Sequence, residues 1–206
     1  LVKQIQADSI AAVEAAQRMS SDTASVAQVA AAPVSIYKDS LLEAAHSAEA
    51  QIVTLANDKF EVAFTTKGAQ PYSVKINEYS SYGGGELFIF KPEMSRYDIQ
   101  VYAGETINTA DFNFVVAEKT DTSLAMRLPF AGGGYIEQRY SIAEGSYSVK
   151  NYLSFVGMEN VIPKNVFSFD VDYFVTMPRM EKGYKSEVQY SKLDYYFNGE
   201  KKPEAI

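Results

Sequence analysis

The feature that most constrains the fold is a period of two in the apolar residues, which begins at Gln51 and continues to the end of the chain. Phe60, Val62 and Phe64 share one face of such a segment. The segments are short, rich in Val, Ile, Tyr, Phe and Thr, and bounded by Gly, Pro, Asn and Asp. This pattern predicts antiparallel strands with one buried face and one solvated face.

The turn residues between these segments recur at the spacing of a sandwich, roughly 8 to 12 residues, without helical crossovers. We therefore predict an all-β fold, a sandwich of two antiparallel sheets. The runs Gly83-Gly84-Gly85 and Gly132-Gly133-Gly134 are predicted hairpin turns, since neither precedes a helix or Lys-Ser/Thr. The predicted strands are Ile52–Leu55, Phe60–Thr65, Gln70–Tyr79, Glu86–Phe90, Asp98–Tyr102, Phe112–Glu118, Ser123–Pro129, Tyr135–Ile142, Tyr147–Val156, Val166–Met177 and Glu187–Phe197.

Residues 1–50 have a different composition, which is rich in alanine, free of glycine and aromatic only at Tyr37. We predict one helix at Ser9–Arg18 and a second that begins at Ser40, where Glu43 follows at the spacing of a capping box. Residues 20–35 have no period and indicate a linker. The chain thus divides into an Ala-rich, partly helical N-terminal tether, residues 1–50, and a β domain, residues 51–206.

Charge and composition exclude several classes of function. Against 19 Lys+Arg the chain carries 26 Asp+Glu, a formal net charge of −7, which argues against nucleic acid as the partner. With no cysteine there is no disulfide, thiolate zinc site or Cys nucleophile. The chain starts at Leu1 without Met and ends in polar sequence, so we expect a piece of a longer protein. It contains no run of ~20 apolar residues that could span a membrane.

The sequence contains little that points to catalysis. His46 is the only histidine and lies in the tether, so we interpret it as an exposed helix residue and expect no catalytic residue, metal site or cofactor. Asp170 and Asp172 would share one face of a strand. A solvated sheet face is the favoured interpretation of that pair, with a weak cation site or a carbohydrate site as alternatives.

Tyrosines are concentrated near the C-terminus, where Tyr184, Tyr190, Tyr195 and Tyr196 follow one another closely. They are our candidates for a surface that binds a peptide or a partner protein, since a tyrosine ring offers both apolar area and a hydroxyl. A sugar groove is an alternative. Placement in the core or at a sheet rim is the more common fate of strand tyrosines, and we favour it on that ground.

Residues 52–79 read IVTLANDKFEVAFTTKGAQPYSVKINEY. This segment resembles the opening of the large periplasmic domain of the YidC membrane protein insertases of Gram-negative bacteria, where a Lys-Gly-Gly or Arg-Gly-Gly turn joins two strands. Lys67 and Gly68 match that turn, and Ala69 replaces the second glycine. The resemblance continues in order through residues 87–90, the strand at 134–142, and residues 195–200.

The resemblance implies a β-super-sandwich of the galactose-mutarotase-like type on the periplasmic side of the bacterial inner membrane. It implies flanking membrane helices outside this chain and a role in inserting and folding inner-membrane proteins, alone or with the Sec translocon. The implied partners are Sec components, including SecDF, and nascent membrane proteins. The domain would be a non-catalytic, monomeric interaction module without a cofactor, and no insertase residue of the membrane core maps onto it.

Two other classes of function remain open at this point. One is a carbohydrate-binding or mutarotase-like sugar-active protein, although such catalysis uses a histidine and the chain has none after His46. The other is a cell-surface adhesin or assembly subunit.

Overall fold

The computed structural model of the chain describes residues 37–190, 194–195, 199, 202 and 204–205, which belong to one compact unit, residues 36–206. The predicted helix at Ser9–Arg18 and the linker at 20–35 lie outside the described residues. The elements are, in chain order, α1 (Ser40–Ser47), β1 (Ile52–Ala56), β2 (Phe60–Thr65), β3 (Gln70–Ser80), β4 (Glu86–Phe90), β5 (Ser95–Tyr102), β6 (Thr106–Asn108), a 3-10 turn (Thr109–Asp111), β7 (Val115–Lys119), β8 (Ser123–Pro129), β9 (Tyr135–Ile142), β10 (Val149–Val156), β11 (Asp170–Val175), α2 (Tyr184–Tyr190), β12 (Asp194–Tyr195) and β13 (Glu204–Ala205).

The described strands form antiparallel sheets in a sandwich-like arrangement. Two sheets have four strands, in the orders β1-β2-β3-β4 and β10-β9-β8-β7, and a third has the order β11-β5-β6. Strands β12 and β13 pair with each other. The predicted class, an all-β antiparallel sandwich, is confirmed.

The core lies between the sheets, where side chains of β2 and β5 share one buried cluster with those of β9. The ring of Phe64 in β2 packs on the ring of Tyr140 in β9 with 4.4 Å between centroids. Ile99 of β5 belongs to the same buried cluster, as does Leu42 of α1. The division of the chain at residue 50 stays a prediction, and α1, which lies before that point, contributes a side chain to the core.

Several predicted strands match the observed ones residue for residue, including Phe60–Thr65 and Tyr135–Ile142. The two glycine runs join β3 to β4 and β8 to β9, as predicted for hairpin turns. The turn from β2 to β3 places both Gly68 (φ +71°) and Ala69 (φ +48°) in the left-handed region. Ala69 thus adopts, at a cost in strain, the conformation for which glycine is better suited.

The predicted strand at Glu187–Phe197 is wrong. Residues Tyr184–Tyr190 form helix α2, and Asp194–Tyr195 is a strand among the described residues of the later part. The alternation of Val188 and Tyr190 with polar residues suggested a period of two. No described residue of α2 is buried, so packing does not favour a strand here. The helix propensity of Lys185, Glu187 and Gln189 therefore determines the local structure.

Helix α1 begins at Ser40 as predicted, but the cap is Asp39. Its carboxylate accepts hydrogen bonds from the backbone N–H groups of Leu41 and Leu42. Ser40 is therefore the first helical residue and not the cap. Glu43 instead reaches back and accepts a hydrogen bond from the N–H of Tyr37 at 3.1 Å.

The last turn of α1 is attached to the segment that precedes β7. The Asn113 side chain donates hydrogen bonds to the carbonyl oxygens of Ala45 (3.4 Å) and Ala48 (2.8 Å). Its backbone N–H also donates to Ala45 O at 2.9 Å. These bonds satisfy carbonyl groups that a helix end leaves without partners. The helix is therefore fixed to the β sheets by hydrogen bonds as well as by Leu42.

Candidate functional site

One face of strand β11 points toward the interior of the sandwich, yet its side chains remain partly exposed to solvent. Each residue of β11 lies opposite one of β5, Val171 opposite Ile99 and Tyr173 opposite Tyr97. Opposed residues share a face, and Ile99 is fully buried. Val171 and Tyr173 nevertheless remain 50% and 56% exposed. The described residues therefore cover the inward face of β11 only in part.

Strand β10 borders the same gap from the other layer. Leu153 and Phe155 lie opposite Gln138 and Ile136 of β9, whose side chains are completely buried. Leu153 and Phe155 are only half-buried. The Phe155 ring contacts that of Phe169, just before β11, with 5.3 Å between centroids. Inward-facing side chains of two sheet-edge strands therefore meet at one open flank, which we call the open side, formed by Leu153, Phe155, Phe169, Val171 and Tyr173.

A buried amide lies next to the open side. Neither the nitrogen nor the oxygen of the Gln138 side chain has a hydrogen-bond partner among the described residues. Burial raises the pKa of Tyr97, and an interaction of its hydroxyl with the Gln138 side chain acts in the opposite direction, so the hydroxyl lies near the amide although the geometry falls short of a hydrogen bond. A buried polar group without a partner is costly, since it loses water and gains nothing in return.

The outward face of β11 is acidic. Asp170 and Asp172 share this face and are exposed, which confirms the favoured interpretation of a solvated sheet face. Asp172 lies opposite Asp98, whose buried carboxylate accepts hydrogen bonds from Ala110 N at 3.0 Å and Thr109 Oγ1 at 3.3 Å. Among the described residues there is no group of three or more metal-binding side chains.

Beyond the open side, the segment of residues 166–190 carries further exposed apolar side chains. Phe167 is 92% exposed, an extreme value for a phenylalanine. A concentration of exposed large apolar side chains in one segment is typical of an interaction surface. The sequence pattern of Val166–Met177 predicted a strand but not this exposure. The exposed apolar residues of the segment are Phe167, Phe169, Val171, Tyr173, Phe174, Met177, Tyr184, Val188 and Tyr190.

Two of the four candidate tyrosines lie on α2. Tyr184 lines a pocket of about 320 Å³ together with Met177, and Tyr190 borders a second of about 500 Å³. Both side chains are exposed, so the favoured placement in the core or at a rim does not apply to them. Tyr195 is part of β12, and Tyr196 lies outside the described residues. The structure therefore brings two candidates onto one helix, and their role stays a prediction.

The largest charge cluster among the described residues is structural. Glu137 on the outer face of β9 accepts hydrogen bonds from Arg127 Nε at 2.7 Å and from Arg139 Nε at 3.1 Å. Burial raises the pKa of Glu137, but these two hydrogen bonds outweigh it and hold the pKa below its ordinary value. Arg139 also pairs with Glu118 at 2.9 Å. A carboxylate held between two arginines is a poor general acid or base near neutral pH.

His46 does not lie on an exposed helix surface as predicted. It is half-buried, because α1 packs against the β domain. Its Nδ1 lies 3.1 Å from the carbonyl oxygen of Asp111, and its ring contacts those of Tyr37 and Phe112. The ring is thus engaged in packing.

No helix in the part of the chain that the structure describes is long and apolar enough to cross a membrane.

Fold and surface together define a class: an antiparallel β-sandwich-like domain with an open apolar flank. The chain is similar to the membrane protein insertase YidC of Porphyromonas gingivalis, with 27% identity over 211 residues that cover 96% of the chain and 34% of that protein. It is also similar to YidC of Phocaeicola vulgatus, with 27% identity over 189 residues, 91% of the chain and 30% of that protein. For YidC of Bacteroides fragilis the identity is 24% over 162 residues.

These similarities confirm the resemblance to the YidC-type insertases inferred from the sequence motifs. The chain spans about a third of the length of the curated relatives it matches. No family model matches it, and neither does a solved structure.

Proposed function

We propose that this chain is a non-catalytic interaction domain of a YidC-type membrane protein insertase. In this proposal it lies on the periplasmic side of the inner membrane and helps the insertase to insert and fold membrane proteins, alone or with the Sec translocon. Residues 1–50 tether the β domain, residues 51–206, to a membrane segment. The observation that carries the proposal is similarity to YidC proteins over 96% of the chain.

The surface chemistry supports a binding role. Prominent ionisable groups are engaged in ion pairs, as Glu137 is with Arg127 and Arg139. The most unusual surface is apolar, from Phe167 to Tyr190. Apolar and aromatic exposure of this kind suits the binding of a protein partner, which needs neither an acid, a base nor a metal.

We place the partner contact on α2. Tyr184 and Tyr190 present large rings to solvent at 64% and 77% exposure, and shallow pockets border both. Tyrosine is enriched at the centres of protein interfaces because it provides contact area at low entropic cost. The proposed partners are Sec components, including SecDF, and nascent membrane proteins.

Site-specific crosslinking in cells tests the proposal. A photoreactive phenylalanine analogue replaces Tyr184 or Tyr190 in the full-length insertase, and Tyr152 provides the control. Tyr152 is 56% exposed and lies opposite Arg139 on the outer face of β10. We expect crosslinks to Sec components or nascent membrane proteins from α2 and none from Tyr152.

Equal crosslinking from all three positions, or none from α2, would overturn the assignment of the partner surface. A parent protein that lacks the membrane segments of an insertase would overturn the proposal as a whole. The sugar-binding alternative predicts heat of binding when the chain is titrated with monosaccharides, and the interaction-domain proposal predicts none.

A further inference from the structure

We infer that Tyr82, in the turn between β3 and β4, is a positioning residue that holds the partner surface on α2 in a fixed orientation. The inference rests on the proposed function, because it takes α2 as the surface that a partner protein contacts. It gives a role to a tyrosine that is 58% exposed and that neither the similarity to YidC nor the packing of the core explains.

Burial does not fix the position of α2. None of its described residues is buried, and Tyr184, Val188 and Tyr190 are each more than half exposed. Helix α1, by contrast, buries Leu42 in the core. A helix of seven residues is also too short to be stable by itself in water. Contacts outside the helix must therefore hold α2 in place.

Residues 178–183, which we call the anchor loop, lead into α2 and are bonded to it. The loop contributes to both pockets, Met180 to the first and Lys182 to the second. The N–H of Met180 donates to the Glu187 carboxylate at 2.8 Å. The N–H of Glu187 donates to the carbonyl oxygen of Gly183 at 2.9 Å. Because these bonds join the anchor loop to α2, a contact that positions the loop also positions the helix.

Tyr82 contacts the anchor loop through its backbone and through its ring. Its N–H donates to the carbonyl oxygen of Met180 at 3.4 Å, which is long for such a bond. The ammonium group of Lys182 lies 5.7 Å from the centroid of the Tyr82 ring, within the range of a cation–π contact. Each contact is weak, but both involve the same residue. Tyr82 therefore links the anchor loop to the β3–β4 hairpin.

A second attachment lies before the anchor loop, directly after β11. There the N–H of Thr176 donates to the carbonyl oxygen of Met94 at 2.6 Å. One attachment leaves a segment free to rotate about it, whereas two restrict its orientation. A binding surface held in one orientation loses less conformational freedom when a partner binds. The contact at Tyr82 should therefore strengthen partner binding without touching the partner.

Amide exchange in the 206-residue chain tests the contact, because the N–H of Tyr82 loses its acceptor when the anchor loop detaches. Lys182→Gln removes the cation from the ring, and Lys182→Arg keeps one there. Lys185→Gln is the matched control, since Lys185 is an exposed lysine of α2 for which the described residues provide no ion pair or ring contact. Nuclear magnetic resonance measures the exchange rate of the Tyr82 N–H in each variant.

We expect Lys182→Gln to raise this rate about 2- to 5-fold, the factor that corresponds to an exposed cation–π contact. Lys182→Arg and Lys185→Gln should leave the rate unchanged. An unchanged rate in Lys182→Gln, or the same increase in Lys185→Gln, would overturn the inference.

Crosslinking in the full-length insertase tests the consequence for the partner. With the photoreactive analogue at Tyr184, Tyr82→Ala should lower the yield of partner crosslinks, and Tyr82→Phe should restore it because the ring remains. Tyr102→Ala, which removes a tyrosine of β5 that is 48% exposed, should have no effect. The urea midpoint of the 206-residue chain should be the same with and without Tyr82→Ala. A lowered midpoint together with lost crosslinks would assign Tyr82 a general role in folding and overturn the inference.

The results separate this inference from the proposed function. Partner crosslinks of undiminished yield in Tyr82→Ala would overturn the inference and leave the proposed function intact. Absence of crosslinks from Tyr184 in the natural insertase would count against the partner surface itself. In that case the exchange rates would still decide whether Tyr82 holds the anchor loop.

Discussion

Replacement of Gly134 by alanine should destabilise this protein far more than replacement of its neighbour Gly133. Gly134 precedes β9 in the hairpin turn from β8 and has a φ of +78°. A Cβ atom there would lie 2.3 Å from the carbonyl oxygen of Gly157 and 2.4 Å from that of Val156. Both neighbours are backbone atoms at the end of β10, so no rotamer change can make room.

The expected magnitude has two contributions. An alanine with positive φ costs about 1–2 kcal/mol relative to glycine. Forcing a methyl group into close-packed surroundings adds about 1–3 kcal/mol, because the ends of β9 and β10 must move apart. We therefore expect Gly134→Ala to lower the free energy of unfolding by about 2–5 kcal/mol.

Gly133 provides the matched control in the same turn. Its φ is +96°, and a Cβ atom there would meet no atom within 4 Å. Gly133→Ala therefore incurs only the conformational cost, about 1–2 kcal/mol. The difference between the two variants isolates the steric contribution.

Urea titration of the 206-residue chain measures both variants. Circular dichroism or tyrosine fluorescence can follow it, since the chain has 15 Tyr and no Trp. With a denaturant slope of about 1–3 kcal/mol per molar urea, the steric contribution should separate the two midpoints by roughly 1 M. Coincident midpoints would refute the reasoning, since the close approach of Gly134 to Gly157 would then carry no energetic weight.

Two further predictions concern the core and the charge cluster. Tyr140→Phe removes the buried hydroxyl that donates to the carbonyl oxygen of Ala69 at 2.8 Å, and should cost about 1–2 kcal/mol in a urea titration; an unchanged midpoint would contradict it. Hydrogen bonds from Arg127 and Arg139 outweigh burial and lower the pKa of Glu137. The ionised carboxylate therefore contributes stability at pH values above the pKa of the unfolded state, near 4.5. This stability is lost as the pH falls through the lower pKa of the folded state. The stability advantage of the natural chain over Glu137→Gln should therefore shrink from about pH 7 to about pH 3, and a pH-independent difference would exclude this linkage.

The sequence predicts well those strands whose one face is buried. Phe60, Val62 and Phe64 alternate strictly because all three lie in the core, and the observed strand has the predicted bounds. Helix α2 is not predictable in the same way, because none of its described residues is buried and no burial pattern distinguishes a helix from a strand there. The spacing of Ser40 and Glu43 predicts Ser40 as the cap of α1. The observed cap is one residue earlier, because the Asp39 carboxylate accepts the hydrogen bonds from the first free backbone N–H groups.

The candidate site is less predictable for a topological reason. Strand β11 pairs with β5, which lies about 70 residues earlier in the chain, and no local pattern reports that partner. The alternation of Asp170, Val171, Asp172 and Tyr173 predicts an inward and an outward face. It does not reveal that β11 is an edge strand among the described strands or that its inward face is half exposed. The open side therefore becomes visible only once the strand order is known.

The attachment of α1 has a mechanical consequence. In a tethered domain, tension on the chain before residue 37 reaches α1 before it reaches β1. Asn113 holds the last turn of that helix through three hydrogen bonds, and Leu42 is buried in the core. Loading these contacts in parallel requires several to rupture together, so pulling from the N-terminal side should detach α1 in a single step while the β sheets stay folded. Release of α1 would thus lengthen the chain on the N-terminal side of β1 without unfolding the sandwich.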